Sequence, residues 1–497
     1  MQLMTDRRVF MDQESKEALF RAFKAHDTRF DGKVYMGVTT TGIYCRPVCA
    51  ARMPKFGNCE FFGSATEAEQ AGFRPCKTCR PELAPDANDQ DHDKIAGRVA
   101  AYIEESCSTG VSMEDVAAKF GFSLRQLRRI FKEEFNVTMI EYQQTCRLLL
   151  AKKLLTETDL SVTEISAASG FGSVRRLNDT FREKYRMAPG ELRKRRLRGN
   201  RDCGGAIRVG IGYRPPYRWE ELLGFFGLRA VDGIECVDDC SYSRVICKED
   251  RKGNSLAGWI RVTNDEKRSR LNVEVSDSLV PVVSGIIADV KRMFDTGCDP
   301  AEISGKLTEF QKYCEGGFRE GTRLPGASDS FEICVRAVLG QQITVKAART
   351  LAERLVKSFG RPVDTGKECL SYAFPSAQDI CGLEGRIEDH LGPLGITSSR
   401  AVAIRSIAEM FTEGRINWEK DRPEEIMETL MEIRGIGPWT AKYIVMRAMS
   451  FPDVFLETDA GVKEGMPDLT LAEMKKISEK WRPWRSYAVI GIWNSLS

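Results

Sequence analysis

Hydrophobic and polar positions change their spacing along the chain, and these changes divide it into blocks with different predicted elements. The first block, which ends near residue 85, mixes strand-like and helix-like spacing, with a short strand predicted around 34–39. In the second block, apolar residues recur every three or four positions, which predicts helices throughout. The third block begins with the strand-like alternation of 259–263 and 271–275 and an amphipathic helix at 219–228, and helical spacing dominates from about residue 282.

Two polar segments separate these blocks. Residues 85–93 are rich in proline and aspartate, and residues 199–205 hold asparagine, aspartate and glycine, so both segments are typical of linkers. A chain of 497 residues is also too long for one ordinary core. The sequence therefore predicts several domains. Their predicted bounds are 13–85, 94–198, 206–286 and 287–497.

The charge of the chain is nearly balanced in total but uneven in its distribution. The 74 Lys and Arg residues against 71 Asp and Glu residues give a net charge of +3, which does not by itself indicate a nucleic-acid partner. Residues 91–200, however, hold about 20 basic and about 15 acidic residues and end in the basic run 193–198. A solvated helical face is the alternative explanation of that run.

Hydropathy and cysteine content together predict a compartment. No apolar stretch reaches the ~20 residues that a membrane-spanning helix needs, and residues 1–8 lack the basic and apolar regions of a signal peptide. We therefore expect a cytoplasmic protein with no membrane partner. Its 16 cysteines are poor candidates for disulfides in a reducing compartment, so close pairs among them are first considered as a metal site.

Four cysteines form two such close pairs. Cys45 and Cys49 make up the first pair, and Cys76 and Cys79 make up the second. Four thiolates at this spacing suit the tetrahedral, soft coordination that zinc prefers, so the sequence predicts a Zn²⁺ site. Four unconnected thiols are the alternative. Cys59 lies between the pairs and could replace one of the four, but it has no close partner in the sequence.

The sequence around these cysteines resembles the N-terminal domain of Ada-type methylphosphotriester acceptors. The resemblance rests on 40–52 and 71–79 and covers about 14–85. It implies that all four cysteines bind zinc and that Cys45 accepts the methyl group of a methylated DNA phosphate. The chemistry is consistent with this role, because a thiolate is the nucleophile and zinc keeps sulfur deprotonated. A zinc domain with a purely structural role is the alternative.

Two similar helix-turn-helix patterns occur in the helical block. Residues 111–123 predict a first helix with a turn at Gly121, and a second helix follows at 124–135. Residues 160–173 repeat the pattern ahead of a helix at 174–185. Any short helical hairpin can resemble one such motif, whereas two motifs joined by an apolar helix are stronger evidence. The outward positions of the two second helices carry the candidate DNA-binding residues Arg125, Arg128, Arg175 and Arg176.

The segment 170–193 is similar to the signature of AraC/XylS-type transcription factors. In Ada-type regulators such a block follows the zinc domain, as it does in this chain. The resemblance implies sequence-specific binding of double-stranded DNA by two recognition helices in the major groove. It also leads us to expect RNA polymerase as a partner and a location at the nucleoid.

The last block contains a glycine-bounded hairpin between two predicted helices at 431–443. Gly435 and Gly437 allow backbone amides to approach a DNA phosphate closely, and the N-terminus of the following helix favours that anion. A short glycine turn alone is weak evidence of function. It becomes more specific here because the carboxylate Asp459 follows Trp439 by twenty residues.

Together with several separated motifs, this hairpin resembles AlkA-type 3-methyladenine DNA glycosylases II over about 207–497. The resemblance implies that Asp459 supports cleavage of the N-glycosidic bond, since a carboxylate stabilises positive charge on the deoxyribose. It also implies an aromatic pocket for the damaged base. The motifs that carry it are 213–219, 222–225, 335–342 and 484–493, and the implied pocket residues are Phe225, Trp439, Tyr443 and Trp493.

Several positions distinguish this chain from the glycosylases that it resembles. Bifunctional members of the superfamily have a lysine where this chain has Trp439, and tryptophan cannot form a Schiff base, so we expect a monofunctional hydrolase. The resemblance implies that the loop of Gln341 and Gln342 enters the DNA stack, with Gln342 as the wedge where the family archetype has leucine. Near the carboxylate, Thr458 and Ala460 also depart from the family.

These resemblances predict a multidomain α+β protein. It would comprise a small zinc-bound α/β domain, an all-α double helix-turn-helix domain, a small antiparallel α+β domain and an all-α helix-hairpin-helix glycosylase domain. The predicted function is repair of alkylated DNA and regulation of that repair. The expected partner is double-stranded DNA with alkylated bases, a methylated phosphate or a promoter sequence. The main alternative is a transcriptional regulator with an inactive glycosylase scaffold, against which Asp459 and the aromatic residues argue.

Two related chemistries are not expected. The sequence has no Pro-Cys-His-Arg motif, so the O6-alkylguanine methyltransferase domain of the usual Ada-type protein is not predicted. No cluster of four cysteines follows Asp459, which argues against the iron–sulfur site of some related glycosylases.

Overall fold

The computed structural model describes residues 13–85, 95–194, 205–250, 252–314 and 316–496. Two sequence predictions lie partly outside this range: most of both linkers, and residues 195–198 of the basic run. Within it, no helix is long and apolar enough to cross a membrane. The predicted fold class, a multidomain α+β protein with helix-turn-helix and helix-hairpin-helix regions, is confirmed by the elements that follow.

The N-terminal block is a small sheet flanked by two helices. Its strands lie in the order β3-β1-β2-β4, with β1 antiparallel to β2 and β3, and with β4 parallel to β2. The parallel pairing places the end of β2 beside the end of β4, where the two cysteine pairs lie. The elements are α1 (Gln13–Lys24), β1 (Tyr35–Val38), β2 (Ile43–Cys45), β3 (Cys59–Phe62), α2 (Ala65–Gln70) and β4 (Arg74–Pro75).

The second block is helical, and its helix ends follow from local sequence signals. Ser123 caps α5 with a capping box, because its hydroxyl accepts from the Gln126 N–H while the Gln126 side chain accepts from the Ser123 N–H. Gly121 ends the preceding helix with φ +70°. The helices are α3 (Ile95–Ser106), α4 (Met113–Phe120), α5 (Leu124–Phe135), α6 (Met139–Glu157), α7 (Val162–Ala168), α8 (Val174–Tyr185) and α9 (Pro189–Lys194).

The third block opens with an antiparallel sheet in the order β5-β9-β8-β7-β6. Its inward positions are apolar, and Val209, Val262 and Val273 are fully buried. Buried and partly exposed positions alternate along the strand at 270–276, as the sequence pattern predicts for a sheet with one covered face, whereas 241–246 is buried at six successive positions. The elements are β5 (Ala206–Gly212), α10 (Trp219–Arg229), β6 (Glu235–Val237), β7 (Ser241–Glu249), β8 (Ser255–Asp265) and β9 (Arg270–Ser276).

The remainder is mainly helical and contains the hairpin between α18 and α19. A short antiparallel strand pair, β10 (Arg361–Pro362) with β11 (Tyr372–Ala373), interrupts the helices and was not indicated by the sequence pattern. The helices are α11 (Val283–Met293), α12 (Pro300–Lys306), α13 (Ser330–Leu339), α14 (Val345–Phe359), α15 (Ala377–Cys381), α16 (Ile387–Leu391), α17 (Ser398–Thr412), α18 (Pro423–Met431), α19 (Pro438–Ala448), α20 (Ala460–Gly465), α21 (Leu471–Ser478) and α22 (Arg485–Ser495).

The blocks pack directly against one another. The buried guanidinium of Arg214, just ahead of α10, donates to the Asp31 carbonyl of the N-terminal block at 2.7 Å. Glu157 at the end of α6 accepts from the Gly210 N–H of β5 at 3.0 Å and from Arg80 at 3.1 Å. One hydrophobic core continues from α6 into the third block. Linker composition gave no indication of this packing, because it depends on which surfaces meet.

Candidate functional site

The four paired cysteines come together at one edge of the N-terminal sheet. Their sulfur atoms all lie within 4.8 Å of one another, and Cys49 Sγ lies 3.9 Å from Cys76 Sγ. Zinc–sulfur bonds of about 2.3 Å in a tetrahedron place sulfurs about 3.8 Å apart, so the cluster matches zinc geometry. Cys59 is outside the cluster, and its thiol donates to the Lys55 carbonyl at 3.4 Å. Burial raises the pKa of Cys59 to about 11.

Backbone groups and neighbouring thiols define the electrostatics of this cluster. The Arg46 N–H donates to Cys79 Sγ at 3.3 Å, and the Thr78 N–H donates to Cys76 Sγ at 3.4 Å. Hydrogen bonds with the other three cysteines, together with burial, raise the pKa of Cys45. Four negatively charged thiolates at these distances repel one another, so the cluster needs a cation. Zn²⁺ supplies that positive charge and keeps the sulfurs deprotonated.

The second helices of both helix-turn-helix motifs present basic side chains to solvent. On α5, Arg125 and Arg128 are exposed while Leu127 is fully buried. On α8, Arg175 and Arg176 are exposed; the Arg175 side chain is 92% exposed and lies 3.8 Å from the Asp179 carboxylate. These side chains have the freedom that contacts with a DNA duplex require.

Asp459 lies at the start of α20 and is held by three N–H donors. One carboxylate oxygen accepts from the Val462 backbone N–H at 3.1 Å and from Trp493 Nε1 at 2.9 Å. The other oxygen accepts from Trp439 Nε1 at 3.1 Å. The carboxylate therefore caps the helix and is fixed at both oxygens by two indole rings that come from α19 and α22. Its position is set before any substrate enters.

The four predicted pocket rings form one connected cluster, and two of them, Trp439 and Trp493, contact this carboxylate. Trp439 and Tyr443, one turn apart on α19, stack with centroids 5.3 Å apart and planes 5° apart. The ring centroids of Phe225 on α10 and Trp493 on α22 are 6.3 Å apart, and the two ring planes are inclined at 21°. The ring centroids of Tyr443 and Trp493 are 6.4 Å apart, so this contact connects the first pair of rings to the second. The fold thus brings together residues that are 268 positions apart in the chain, from Phe225 to Trp493.

Four family profiles match successive parts of the chain. They are the metal-binding domain of Ada at 18–82, a helix-turn-helix domain at 116–195, the AlkA N-terminal domain at 208–329 and the HhH-GPD superfamily base excision DNA repair protein at 335–485. A probable bifunctional transcriptional activator/DNA repair enzyme AlkA of Mycobacterium tuberculosis is 30% identical over 495 residues, which is 97% of this chain and 96% of the relative. The chain belongs to this family of bifunctional transcriptional activator/DNA repair enzymes.

Two further relatives each resemble one part of this AlkA-type fusion. DNA-3-methyladenine glycosylase 2 of Escherichia coli is 34% identical over 284 residues, covering 57% of this chain and 95% of the relative. The Ada protein of Escherichia coli is 38% identical over 149 residues, covering 30% of this chain and 40% of that relative. The resemblances found in the sequence are confirmed, and zinc is the metal of the four-cysteine cluster.

In the AlkA-type block, the predicted wedge loop lies against the hairpin. The Gln341 side-chain amide donates to the Gly435 carbonyl at 2.9 Å and to Thr440 Oγ1 at 3.0 Å. Gly435 has φ +98°, which favours glycine, and Gly437 caps the N-terminus of α19. Gln342 is exposed at the loop and has φ +54°. The loop and the hairpin therefore form one continuous surface beside the aromatic pocket.

Two arginines that contact the predicted pocket rings were not identified from the sequence. The Arg229 guanidinium lies 3.7 Å from the ring centroid of Phe225, and Arg447 Nη1 donates to the Tyr443 hydroxyl at 2.9 Å. Burial acts to raise the pKa of Tyr443, but Arg447 and Arg229 outweigh it and leave that pKa lowered. The available signal was spacing, because each arginine follows a predicted pocket residue by four positions on one helix.

Proposed function

We propose that the chain repairs alkylated DNA by hydrolysing the N-glycosidic bond of alkylated bases, with Asp459 as the catalytic carboxylate. Departure of the base builds positive charge on the deoxyribose. A fixed carboxylate next to the pocket stabilises that charge and orients the attacking water.

The aromatic rings account for binding of the flipped base. A base outside the duplex loses its stacking partners, and faces of Trp439 and Trp493 offer replacement partners. Bases alkylated at N3 or N7 of a purine are cationic, which strengthens their attraction to these faces and makes them good leaving groups. Gln342 would fill the gap that the flipped base leaves in the duplex.

Trp439 leads to a prediction about the product. The wild-type protein should release 3-methyladenine or hypoxanthine from a labelled duplex and leave the strand intact until alkali is added, because no amine is available to form a Schiff base at this position. Gel electrophoresis before and after alkali, with borohydride present in a parallel sample, measures both features. A covalent protein–DNA product would contradict the monofunctional mechanism, and no base release at all would favour the inactive-scaffold alternative.

We propose further that Cys45 irreversibly accepts a methyl group from a methylated DNA phosphate. The Cys45 thiolate attacks the methyl carbon, so that a sulfur–carbon bond forms while the bond between that carbon and the phosphate oxygen breaks. The electron pair of the broken bond stays on the oxygen and restores the anionic phosphodiester. The proposal is supported by the match to the Ada metal-binding domain and by the sulfur cluster of Cys45 and its three partners.

Mass spectrometry tests this acceptor role. After incubation with DNA that carries methylphosphotriesters, the wild-type protein should gain the mass of one methyl group on the peptide that contains Cys45. The Cys59→Ser variant is the matched control and should gain the same mass, because Cys59 lies outside the cluster. An unmodified Cys45 in wild-type protein, with zinc bound, would leave the domain with a structural role only.

The regulatory part of the proposal rests on the exposed arginines of α5 and α8. We propose that Arg125, Arg128, Arg175 and Arg176 contact promoter DNA and that the bound protein recruits RNA polymerase at the nucleoid. Replacing Arg128 and Arg176 by alanine should weaken promoter binding in an electrophoretic mobility assay at fixed salt concentration. The same double variant should release alkylated bases at the wild-type rate.

A further inference from the structure

We propose that Arg229 is a specificity-determining residue of the base pocket, which favours damaged bases with an exocyclic carbonyl oxygen over bases with an amino group at the same edge. The inference rests on the proposed glycosylase function and concerns a residue to which neither the sequence motifs nor the comparisons assign a role. Arg229 is the last residue of α10, one turn after Phe225.

The guanidinium of Arg229 lies among the pocket rings. Its central carbon is 3.7 Å from the Phe225 ring centroid and 5.9 Å from that of Trp493, and it also interacts with the hydroxyl of Tyr443. It therefore covers a face of Phe225, and Phe225 in turn stacks on Trp493, one of the two indoles that donate to Asp459. We infer that a base stacked in this cluster places one of its edges against the guanidinium.

Arg229 differs from Arg336 in its lack of an ion pair, and from Arg447, the other arginine over the Phe225 ring, in that the backbone carbonyls of Pro325 and Gly326 hold Arg447. Arg336 forms ion pairs with Glu235 at 2.9 Å and with Glu332 at 2.8 Å. Among the described residues, no carboxylate forms an ion pair with Arg229, and one backbone carbonyl, that of Phe225, accepts from it at 3.2 Å. Burial lowers its pKa to about 10, so the group stays charged at neutral pH. A partly buried guanidinium with five N–H groups and few acceptors is suited to bind an acceptor on a ligand.

The chemistry of the pocket then identifies the preferred class of base. A carbonyl oxygen can accept one or two N–H groups of the guanidinium, as guanine O6 does in arginine–guanine contacts. An amino group in the same place brings two donors together and leaves both without an acceptor. Sites that bind a substrate by a specific hydrogen bond discriminate strongly against analogues that lack the acceptor.

Two lesions provide a matched comparison. Both 7-methylguanine and 3-methyladenine are cationic when they are part of DNA, so the positive charge of Arg229 repels both. They differ at position 6 of the purine, where the first has a carbonyl oxygen and the second has an amino group. Duplex DNA treated with dimethyl sulfate contains both lesions, and chromatography of the released bases measures both rates in one sample.

We expect the Arg229→Met variant to lower the rate of 7-methylguanine release relative to that of 3-methyladenine by about 10-fold or more. Release of 3-methyladenine should stay the same or rise, because a like charge has been removed. Arg229→Lys keeps the charge but has a single donor group, and it should give an intermediate ratio. Arg268→Met, in the exposed turn between β8 and β9, is the control and should give the wild-type ratio.

The ratio of the two rates is independent of how much of the variant is folded, since both bases are released by the same molecules. An equal fall in both rates, or an unchanged ratio in Arg229→Met, would overturn the assignment and leave Arg229 with a structural role. Failure of the wild-type protein to release either base would instead refute the proposed glycosylase function, so the two failures are distinguishable.

Discussion

Replacing Asp459 by asparagine is expected to slow single-turnover base release by about 10³-fold, which corresponds to about 4 kcal/mol of transition-state stabilisation. The substitution removes the negative charge that opposes the positive charge of the sugar. It also replaces one acceptor oxygen by an N–H donor, so one of the two indole N–H groups of Trp439 and Trp493 loses its partner. Asparagine still caps a helix well, and α20 should therefore remain folded.

The rate is measured with excess protein on an alkylated duplex, so that product release does not limit it. The control is the Asp468→Asn variant, which should retain the wild-type rate. Asp468 is an exposed aspartate that follows α20 in the chain. Thermal unfolding of both variants establishes that the folded state is kept. If Asp459→Asn released bases within about threefold of the wild-type rate, the carboxylate would not be the main source of catalysis.

Local signals in the sequence were sufficient for much of the fold. The predicted second helix at 124–135 matches α5 (Leu124–Phe135), because Ser123 and Gln126 form a capping box whose spacing is visible in the sequence. The paired cysteines were equally visible, since metal ligands from one chain come in short, regular spacings. In both cases the signal itself spans only a few residues of the sequence.

Features that depend on tertiary contacts could not be predicted in this way. The family resemblance indicated Asp459 and its aromatic neighbours, but the two indole hydrogen bonds to the carboxylate depend on how α19 and α22 pack. Arg229 lies in the pocket only because α10 faces α22, and most arginines one turn beyond an aromatic residue are solvated. The contact of Arg214 with the Asp31 carbonyl joins blocks that the composition of the chain suggested were separate.

Loss of zinc is expected to have the largest effect on the stability of the N-terminal block. Structural zinc sites contribute about 10–16 kcal/mol of apparent binding free energy at neutral pH, which is more than a small domain can lose and remain folded. The sheet of this block is short, and β2 and β4 pair over only two residues, Ile43 with Arg74 and Tyr44 with Pro75. Apart from the metal, single hydrogen bonds hold Cys76 and Cys79 beside Cys45, such as the Cys76 N–H to the Tyr44 carbonyl at 2.9 Å and Arg46 Nη1 to the Cys79 carbonyl at 3.1 Å.

The Cys76→Ala variant should therefore contain much less than one zinc per chain by atomic absorption, and residues 13–85 should become sensitive to limited proteolysis. Cys59→Ala is the matched control and should keep both zinc and protection, because Cys59 takes no part in the cluster. Acidic pH should act like the variant, since protonation of the thiolates competes with the metal. Full zinc content in Cys76→Ala would contradict the four-cysteine assignment.

The rate of base release by the Cys76→Ala variant shows whether the zinc block and the glycosylase block act independently or are coupled. The pocket is built from α10, α19 and α22, so the rate should stay within about threefold of wild type if the zinc block only shares the chain. Arg214, however, donates to Asp31 and precedes the helix that carries Phe225. A fall in base release that accompanies zinc loss, and that Arg214→Met reproduces with zinc still bound, would mean that the metal centre and the base pocket are coupled through this contact.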